Sequence, residues 1–267
     1  MLFDSYGRKI NYLRVSVTDK CNYACKYCRP EEGVTLKKHE EILSLEKIHE
    51  IVKAYVASGI DKVRITGGEP LVRKNIVYLI QLISSIPGIK DLCMTTNGSL
   101  LPHYAYKLKA AGLQRLNISL DTLVPEKFSY LTRGGKLADV IEGIHTAKKA
   151  RFTTIKINTV VIKDFNENEL DDLTQFAKKN GLEIRFIKEM NLKTGQRYII
   201  ENANAGQCEL CNRLRLTCDG KLKPCLFSDY EVNIGELTMT EALDQAVQNK
   251  PKCGTYNSND CMVQIGG

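Results

Sequence analysis

A repeated alternation of strand and helix patterns constrains the fold of this chain more than any other feature of its sequence. Six short, mostly apolar stretches are predicted as strands, and amphipathic segments that predict helices separate them. Strands of this kind with helices between them are typical of a parallel α/β sheet that helices cover. The predicted strands are Leu13–Val17, Lys62–Thr66, Asp91–Thr96, Arg115–Asp121, Thr154–Ile162 and Glu183–Met190.

Six such units can close into an incomplete barrel or open into a doubly wound sheet, and they fall short of the eight units of a complete TIM barrel. In either case the chemistry is expected in the loops at the carboxyl ends of the strands. The alternation stops after Met190, and a hairpin is predicted around Asp219 and Gly220. We therefore expect a barrel-like domain over 1–190 and a small module over 191–267.

The cysteines of the chain, ten in all, are concentrated in two clusters. No stretch reaches the roughly 20 apolar residues that span a bilayer, and the first residues do not resemble a secretion signal, so we expect a cytoplasmic protein. In the reducing cytoplasm, clustered cysteines indicate metal ligands rather than disulfides. The first cluster is Cys21, Cys25 and Cys28, and the second is Cys208, Cys211, Cys218 and Cys225.

The first cluster, in the loop after the first predicted strand, has the spacing CxxxCxxC. Three thiolates can hold a [4Fe–4S] cluster at three irons and leave the fourth iron free for a ligand. A three-cysteine zinc site completed by a histidine is the alternative, but the four histidines all lie outside the two clusters. The spacing therefore favours an iron–sulfur site with one open position.

The second cluster offers either an open triad or a closed site. Cys208, Cys211 and Cys225 form a second set of three ligands, whereas including Cys218 would give a four-cysteine zinc ribbon. A zinc ribbon together with the net charge of +7 would suggest a nucleic-acid-binding protein. That alternative predicts bound zinc and no iron.

Basic residues within the otherwise apolar strands indicate a polyanionic ligand. Arginine binds phosphates through paired, fork-shaped donors, so several arginines inside one sheet suit a triphosphate. The positions concerned are Arg14, Lys62, Arg64, Lys156 and Arg185 on the strands, with Arg213 and Arg215 directly after Cys211.

Several motifs resemble those of the radical S-adenosylmethionine (SAM) superfamily, and in particular those of the GTP 3′,8-cyclase family of molybdenum-cofactor biosynthesis. The matching stretches are LRVSVTDKCNYACKYCRP, VRITGGEPLVR, TTNGSLL, AGLQRLNISLDTL, KINTVVIKDFNENEL, EIRFIKEM, CNRLRLTCDGKLKPCLF and the terminal MVQIGG. The resemblance covers nearly the whole chain. One difference is the segment between Met190 and Cys208, whose seventeen residues are several times fewer than in the family.

The resemblance implies an incomplete (β/α)6 TIM-like barrel of the radical SAM type, with a small C-terminal iron–sulfur module and two [4Fe–4S] clusters. The first cluster would be bound by Cys21, Cys25 and Cys28, and its open iron would take SAM. The second would be bound by Cys208, Cys211 and Cys225, and its open iron would meet the guanine base. By the same match, the SAM contacts are Tyr27, Gly67, Gly68, Glu69, Thr96, Ser119 and Met190. The seven basic residues named above would bind GTP, and Arg14, Gly266 and Gly267 would support catalysis.

The implied reaction converts GTP to 3′,8-cyclo-GTP, which is (8S)-3′,8-cyclo-7,8-dihydroguanosine 5′-triphosphate. SAM cleavage gives a 5′-deoxyadenosyl radical that removes the hydrogen from C3′ of GTP. The C3′ radical then attacks C8 of guanine, and the resulting aminyl-type radical is reduced to 3′,8-cyclo-GTP. The reaction requires an external electron donor, which the sequence does not identify, and the product would pass to the cyclic pyranopterin monophosphate synthase. Membrane and nucleic-acid partners are not expected, and a homodimer is one assembly that the sequence leaves open.

Two other functions remain open at this stage. One is a two-cluster radical SAM enzyme that acts on another substrate, such as a peptide, and the other is a relative that binds clusters without catalysis. The basic residues on the strands argue against a neutral peptide. The intact CxxxCxxC and TGGEP motifs argue against a loss of catalysis.

Overall fold

A nine-stranded sheet organises the chain in the computed structural model, which describes residues 1–195, 207–258 and 261–266. A separate antiparallel pair, β1 with β2, lies at the N-terminus. The strands are β1 (Leu2–Phe3), β2 (Lys9–Ile10), β3 (Tyr12–Ser16), β4 (Lys62–Thr66), β5 (Asp91–Thr96), β6 (Arg115–Ser119), β7 (Thr154–Val161), β8 (Glu183–Lys188), β9 (Arg213–Leu216), β10 (Lys221–Lys223) and β11 (Val232–Asn233).

The order of strands in the large sheet is β11-β10-β9-β3-β4-β5-β6-β7-β8. Pairing is parallel from β9 through β8 and antiparallel at β10 and β11. The six predicted strands are the consecutive parallel strands β3 to β8, so the prediction of a parallel α/β fold is confirmed. The bounds of β4 and β5 agree with the prediction residue for residue.

The predicted C-terminal hairpin joins the main sheet instead of forming a layer of its own. Strand β9 pairs in parallel with β3, with Arg215 beside Arg14 and Leu214 beside Leu13. Leu214 is fully buried and alternates with the arginines, which is the pattern that also marks β3. The division of the chain at residue 190 stays a prediction, and strand pairing crosses it.

Helices cover the outer face of the sheet, and α1 shows how the sequence sets their ends. Ser44 Oγ accepts a hydrogen bond from the Lys47 amide at 3.1 Å, and Gly59 adopts a φ of 119° beyond the last turn. Among the described residues, no helix is both long and apolar enough to cross a membrane. The helices are α1 (Leu45–Ala57), α2 (Ile76–Ser84), α3 (Leu101–Ala110), α4 (Pro125–Thr132), α5 (Leu137–Lys149), α6 (Leu170–Asn180), α7 (Met239–Gln248) and α8 (Met262–Ile265).

Alternation along the strands gives the sheet one apolar face and one polar face. The apolar residues, such as Leu13 and Val63, form a single core with residues of the covering helices, such as Ile48 and Leu79. The residues of opposite parity are mostly polar and share the other side, which we call the concave face. It carries Tyr12, Arg14, Ser16, Lys62, Arg64, Thr66, Cys93, Thr95, Arg115, Asn117, Ser119, Lys156, Asn158, Arg185, Arg213 and Arg215.

Candidate active site on the concave face

The first cysteine cluster lies in the loop that leaves the carboxyl end of β3. Within the loop, the Cys28 amide donates to the Cys25 carbonyl at 2.9 Å. The loop is also tied to the end of α4, because the amides of Ala24 and Lys26 donate to the carbonyls of Thr132 and Leu131. The sequence patterns did not predict α4, and its contribution is to anchor this loop.

The three thiols of the first cluster are half-buried and free of disulfides. Burial raises the pKa of each thiol, and burial together with the negative charge of an ionised Cys21 raises the pKa of Cys28 to about 12. For Cys25, burial is followed by the negative charge of Asp121 as the next cause of a raised pKa. Burial and nearby negative charge therefore disfavour three thiolates at this site. A bound metal cluster would offset that cost, because its irons neutralise the thiolate charges.

The two glycines of TGGEP pack against the cysteine loop itself. A Cβ atom on Gly68 would lie 2.4 Å from the Lys20 carbonyl oxygen, and one on Gly67 would lie 2.7 Å from the Thr18 oxygen. The Gly68 amide donates to the Thr18 carbonyl at 2.7 Å. Their first structural role is therefore to join the β4 loop to the loop of the first cluster.

Glu69 connects the ends of β4 and β5 through a fully buried carboxylate. It accepts hydrogen bonds from the Thr96 hydroxyl at 2.7 Å and from the Asn97 amide at 2.7 Å. It also accepts a hydrogen bond from the Leu71 amide at 3.0 Å. Burial raises the pKa of Glu69 to about 7, although these hydrogen bonds oppose the shift.

Thr96 is a predicted SAM contact, but its hydroxyl donates a hydrogen bond to Glu69. Its side chain is on the opposite side of β5 from the concave face. Its neighbour Thr95 is on the concave face, and its buried hydroxyl has no hydrogen-bond partner among residues 1–195, 207–258 and 261–266. Alternation along β5 would have distinguished the two threonines. Thr95 is therefore a candidate contact that the motif match passed over.

The remaining predicted SAM contacts lie on three different elements: Tyr27 in the first cysteine loop, Ser119 at the end of β6 and Met190 after β8. The Tyr27 hydroxyl donates to Asp121 at 2.9 Å, and burial raises the pKa of Asp121 to about 6. Ser119 ends β6 on the concave face, beside Asn158 of β7. Met190 packs with Ile265 of the C-terminal helix α8.

Arginines of adjacent strands meet at the middle of the concave face. Arg14 has Arg64 on one side and Arg215 on the other in the strand register. Burial lowers the pKa of Arg14 well below its usual value, and the charge of Arg215 lowers it further. Burial likewise lowers the pKa of Arg215, to about 10. Buried cations held this close together are typical of an anion site.

The other predicted substrate residues surround this group with varied exposure. Lys62 and Arg213 flank Tyr12 in the layer below Arg14. Lys156 forms an ion pair with Glu183, and Arg185 is exposed on β8, the edge strand of the sheet. All seven basic residues are thus on the concave face.

The C-terminal tail enters the same space. The Gly266 carbonyl accepts from Arg215 Nη1 at 2.9 Å, and the residue has a φ of 80°. A Cβ atom there would lie 2.6 Å from Thr66 Oγ1 and 2.9 Å from Ser16 Cβ, so glycine is required by both space and conformation. Gly267, also predicted to support catalysis, lies outside the described residues.

The second cysteine cluster lies near cations. Two of its cysteines, Cys208 and Cys211, directly precede β9. Burial raises the pKa of Cys211, but the charge of Lys250, the hydrogen bond from the Arg213 amide and the charge of Arg213 together lower this pKa to about 7. Cys218 is apart from this group, because it is buried in the hairpin where Asp19 and Asp219 are the charges that raise its pKa. This position favours the triad of Cys208, Cys211 and Cys225 over a four-cysteine ribbon.

The assignment of these cysteines as ligands stays a prediction. Within residues 1–195, 207–258 and 261–266, no three cysteine, histidine or acidic side chains are already close enough to hold a metal ion. The donor chemistry nevertheless fits iron–sulfur clusters, since both triads consist of reduced thiols.

Further polar atoms of the concave face are buried and, within the part of the chain that the structure describes, have no hydrogen-bond partner. They point to ligand contacts that the motifs alone did not identify, because buried polar atoms are normally hydrogen-bonded. The strand alternation that contains the arginines also contains these residues. The atoms are the Tyr12 hydroxyl, Asn117 Oδ1 and Asn158 Oδ1, in addition to the Thr95 hydroxyl.

Two family profiles match consecutive parts of the chain. The profile of the radical SAM superfamily matches residues 15–177, and the profile described as Molybdenum Cofactor Synthesis C matches residues 175–255. The first profile agrees with the superfamily, and the second with the molybdenum-cofactor family, that the motifs resemble.

Curated relatives match along their full length. A GTP 3′,8-cyclase of Peptoclostridium acidaminophilum is 43% identical over 322 aligned residues, which cover 100% of this chain and 98% of the relative. A GTP 3′,8-cyclase of Alkaliphilus oremlandii is 41% identical and covers 99% of both chains. The first alignment is longer than the 267 residues of this chain, so that relative contains positions without a counterpart here.

Solved structures share the fold at low sequence identity. SuiB of Streptococcus suis, bound to the precursor peptide SuiA, superposes with a TM-score of 0.68 at 16% identity over 91% of this chain and 66% of SuiB. The AdoMet-bound anSMEcpe gives a TM-score of 0.66 at 15% identity over 90% of this chain and 78% of its own. These structures support the radical SAM barrel, while the tandem profiles and full-length identities show that the chain belongs to the GTP 3′,8-cyclase family.

Proposed function

We propose that this chain is a GTP 3′,8-cyclase that uses SAM and two [4Fe–4S] clusters. The observation that carries the proposal is the row of buried arginines on the concave face, which lies between the two cysteine triads. A polyanion is the ligand that would stabilise these cations, and the triads at either end supply reactive groups for SAM and for the base. The family relationship identifies that polyanion as GTP.

Residues in different parts of the site would have different roles in the reaction. Cys21, Cys25 and Cys28 would hold the first cluster, which, once bound and reduced, supplies the electron for the cleavage of SAM. Tyr27, Glu69 and the two glycines order the loops around it. Ser119, Met190 and Thr95 or Thr96 border the space in which SAM would lie.

The cations of the concave face would orient the triphosphate and neutralise its charge. The buried Arg14 and Arg215, with the partly buried Arg64, form the middle of this set, and Lys62, Lys156, Arg185 and Arg213 form its margin. Cys208, Cys211 and Cys225 would hold the second cluster next to guanine. The Gly266 carbonyl, held by Arg215, places the tail close enough to help exclude water from a radical intermediate.

The cellular setting follows from the same chemistry. Free thiols in both triads suit the reducing cytoplasm, which we propose as the location. The cyclic product is chemically incomplete as a pterin, so we propose that the cyclic pyranopterin monophosphate synthase consumes it. A homodimer is retained as a proposal for the assembly.

The decisive experiment uses anaerobically purified protein with reconstituted clusters, SAM, dithionite and either GTP or ATP. Mass spectrometry then measures 5′-deoxyadenosine and 3′,8-cyclo-GTP. We expect GTP, and not ATP, to yield both products. Formation of 5′-deoxyadenosine that GTP leaves unchanged, with no cyclised nucleotide, would contradict the substrate assignment. Zinc without iron would instead support the zinc-ribbon alternative.

A further inference from the structure

Two buried cations lie next to the second cysteine triad, and neither belongs to the set predicted to bind GTP. Lys250 follows α7 and is 2% exposed. Arg8 lies in the turn between β1 and β2, directly before β2, and its side chain is 8% exposed. Each cation donates to backbone carbonyls beside the cysteines, as described below.

Lys250 bridges the segments that carry Cys211 and Cys225. Its Nζ donates to the Arg213 carbonyl at 2.7 Å and to the Pro224 carbonyl at 2.6 Å. Arg213 is two residues beyond Cys211, and Pro224 directly precedes Cys225. One ammonium group therefore links the start of β9 to the residue directly after β10, at the two ends of the hairpin beside Cys211 and Cys225.

Arg8 completes the arrangement at the third cysteine. Its Nη1 donates to the carbonyl of Cys208 itself at 2.7 Å and to the Lys252 carbonyl at 2.8 Å. Nη2 donates to the Pro251 carbonyl at 2.7 Å. The buried Asp4 holds the guanidinium in place through Nε at 2.6 Å.

We propose that Lys250 and Arg8 are positioning residues for the second iron–sulfur cluster, and that Lys250 also tunes its reduction potential. Together they tie the N-terminal strand pair and the segment 250–252 to all three cysteine-bearing segments. The proposal rests on the second cluster of the proposed function. It assigns a purpose to two buried cations that are outside the set predicted to bind GTP.

The physical reason is twofold. Ligands that come from distant segments need outer groups that orient them, and the loss of such groups typically lowers metal affinity by about 10–100-fold. A positive charge beside thiolate ligands also favours the reduced, more negative cluster, because it stabilises the added electron. Substitutions of Lys250 can separate the effect of its hydrogen bonds from the effect of its charge.

The test compares Lys250→Met, which removes both donor and charge, with Lys250→Gln, which keeps donors and removes charge. Iron and sulfide are counted after reconstitution, and the potential of each cluster is followed by electron paramagnetic resonance. We expect wild type to hold about eight irons and Lys250→Met about four. Lys250→Gln should retain more iron than Lys250→Met, with a more negative potential for the second cluster only.

Arg8→Met should also lose iron, and its matched control is Lys9→Met at the next, exposed position. For Lys250 the control is Lys252→Met, an exposed lysine two residues along the chain. Circular dichroism and SAM cleavage at the first cluster report whether each variant is folded. Folded Lys250→Met protein with full iron and an unchanged second potential would overturn the proposal. Wild type with only four irons would overturn it together with the second-cluster assignment, so the two failures are distinguishable.

Discussion

The two cysteine triads have the same ligand chemistry in opposite electrostatic settings. The first is buried beside Glu69 and Asp121, and every resolved shift raises the pKa of its thiols. The second lies beside Lys250 and Arg213, which lower the pKa of Cys211 to about 7. The same residue type is thus held as a protonated thiol at one end of the site and close to a thiolate at the other.

This difference agrees with the charges of the proposed ligands. SAM brings a sulfonium and an ammonium group, and an acidic, apolar pocket favours such a cation. GTP brings a triphosphate, and the cationic side of the face favours an anion. The contrast implies that the triads cannot exchange roles, although their ligands are identical.

Loss of one cysteine from each triad gives the largest expected difference. Cys25→Ser should abolish 5′-deoxyadenosine and cyclised product together, because the cluster that reduces SAM is lost. Cys211→Ser should abolish the cyclised product and leave SAM cleavage measurable. Both products are quantified by mass spectrometry, with iron counted in parallel.

The exposed Cys253 supplies the matched control, and Cys253→Ser should behave as wild type. Identical product profiles for the Cys25 and Cys211 variants would contradict the separate roles of the triads. Retained cyclisation in Cys211→Ser would contradict the need for the second cluster.

Thiol reactivity in the cluster-free protein is the next test of the comparison. Alkylation requires the thiolate, so Cys211 should react with iodoacetamide at pH 7.5 at least about tenfold faster than Cys28, whose pKa is about 12. The Cys211 rate should rise with pH through about 7. Peptide mapping by mass spectrometry measures both rates in one sample.

Lys250→Gln should slow the alkylation of Cys211 and leave Cys28 unchanged, because it removes the nearby charge that lowers the pKa. Lys252→Met provides the exposed control. Equal rates for Cys211 and Cys28 in wild type would show that the electrostatic difference between the triads is absent in solution.

The sequence predicted the parallel strands well because each is a local pattern of apolar residues. Ser44 and Gly59 at the ends of α1 are likewise local features, since helix caps depend on a few neighbouring residues. The place of β9 beside β3 was not predicted. That pairing joins segments about 200 residues apart, and no local pattern specifies it.

The site shows the same division between local and distant information. Motifs identified the cysteines and the arginines, which carry their chemistry in the residue type. They did not separate Thr95 from Thr96, which depends on the side of the strand, or reveal Arg8 and Lys250. Those two cations are single basic residues in loops, and only folding brings them to the cysteines.

The smallest expected effect concerns the acidic side of the comparison, at Glu69. Its pKa in the folded chain, about 7, exceeds the ordinary value of 4.5, so ionisation destabilises the fold. The stability that the protonated group contributes is complete below about pH 4.5 and is lost as the pH rises through about 7. Glu69→Gln cannot ionise and should not show this loss.

Urea unfolding of the cluster-free protein at pH 5 and pH 8 measures the difference. Between these values, wild type should lose on the order of 3 kcal/mol more unfolding free energy than Glu69→Gln. Glu142→Gln, at an exposed helical position, should follow wild type. Parallel pH dependences for wild type and Glu69→Gln would mean that Glu69 is already ionised at pH 5. The acidic character of the first triad would then be permanent and not dependent on pH.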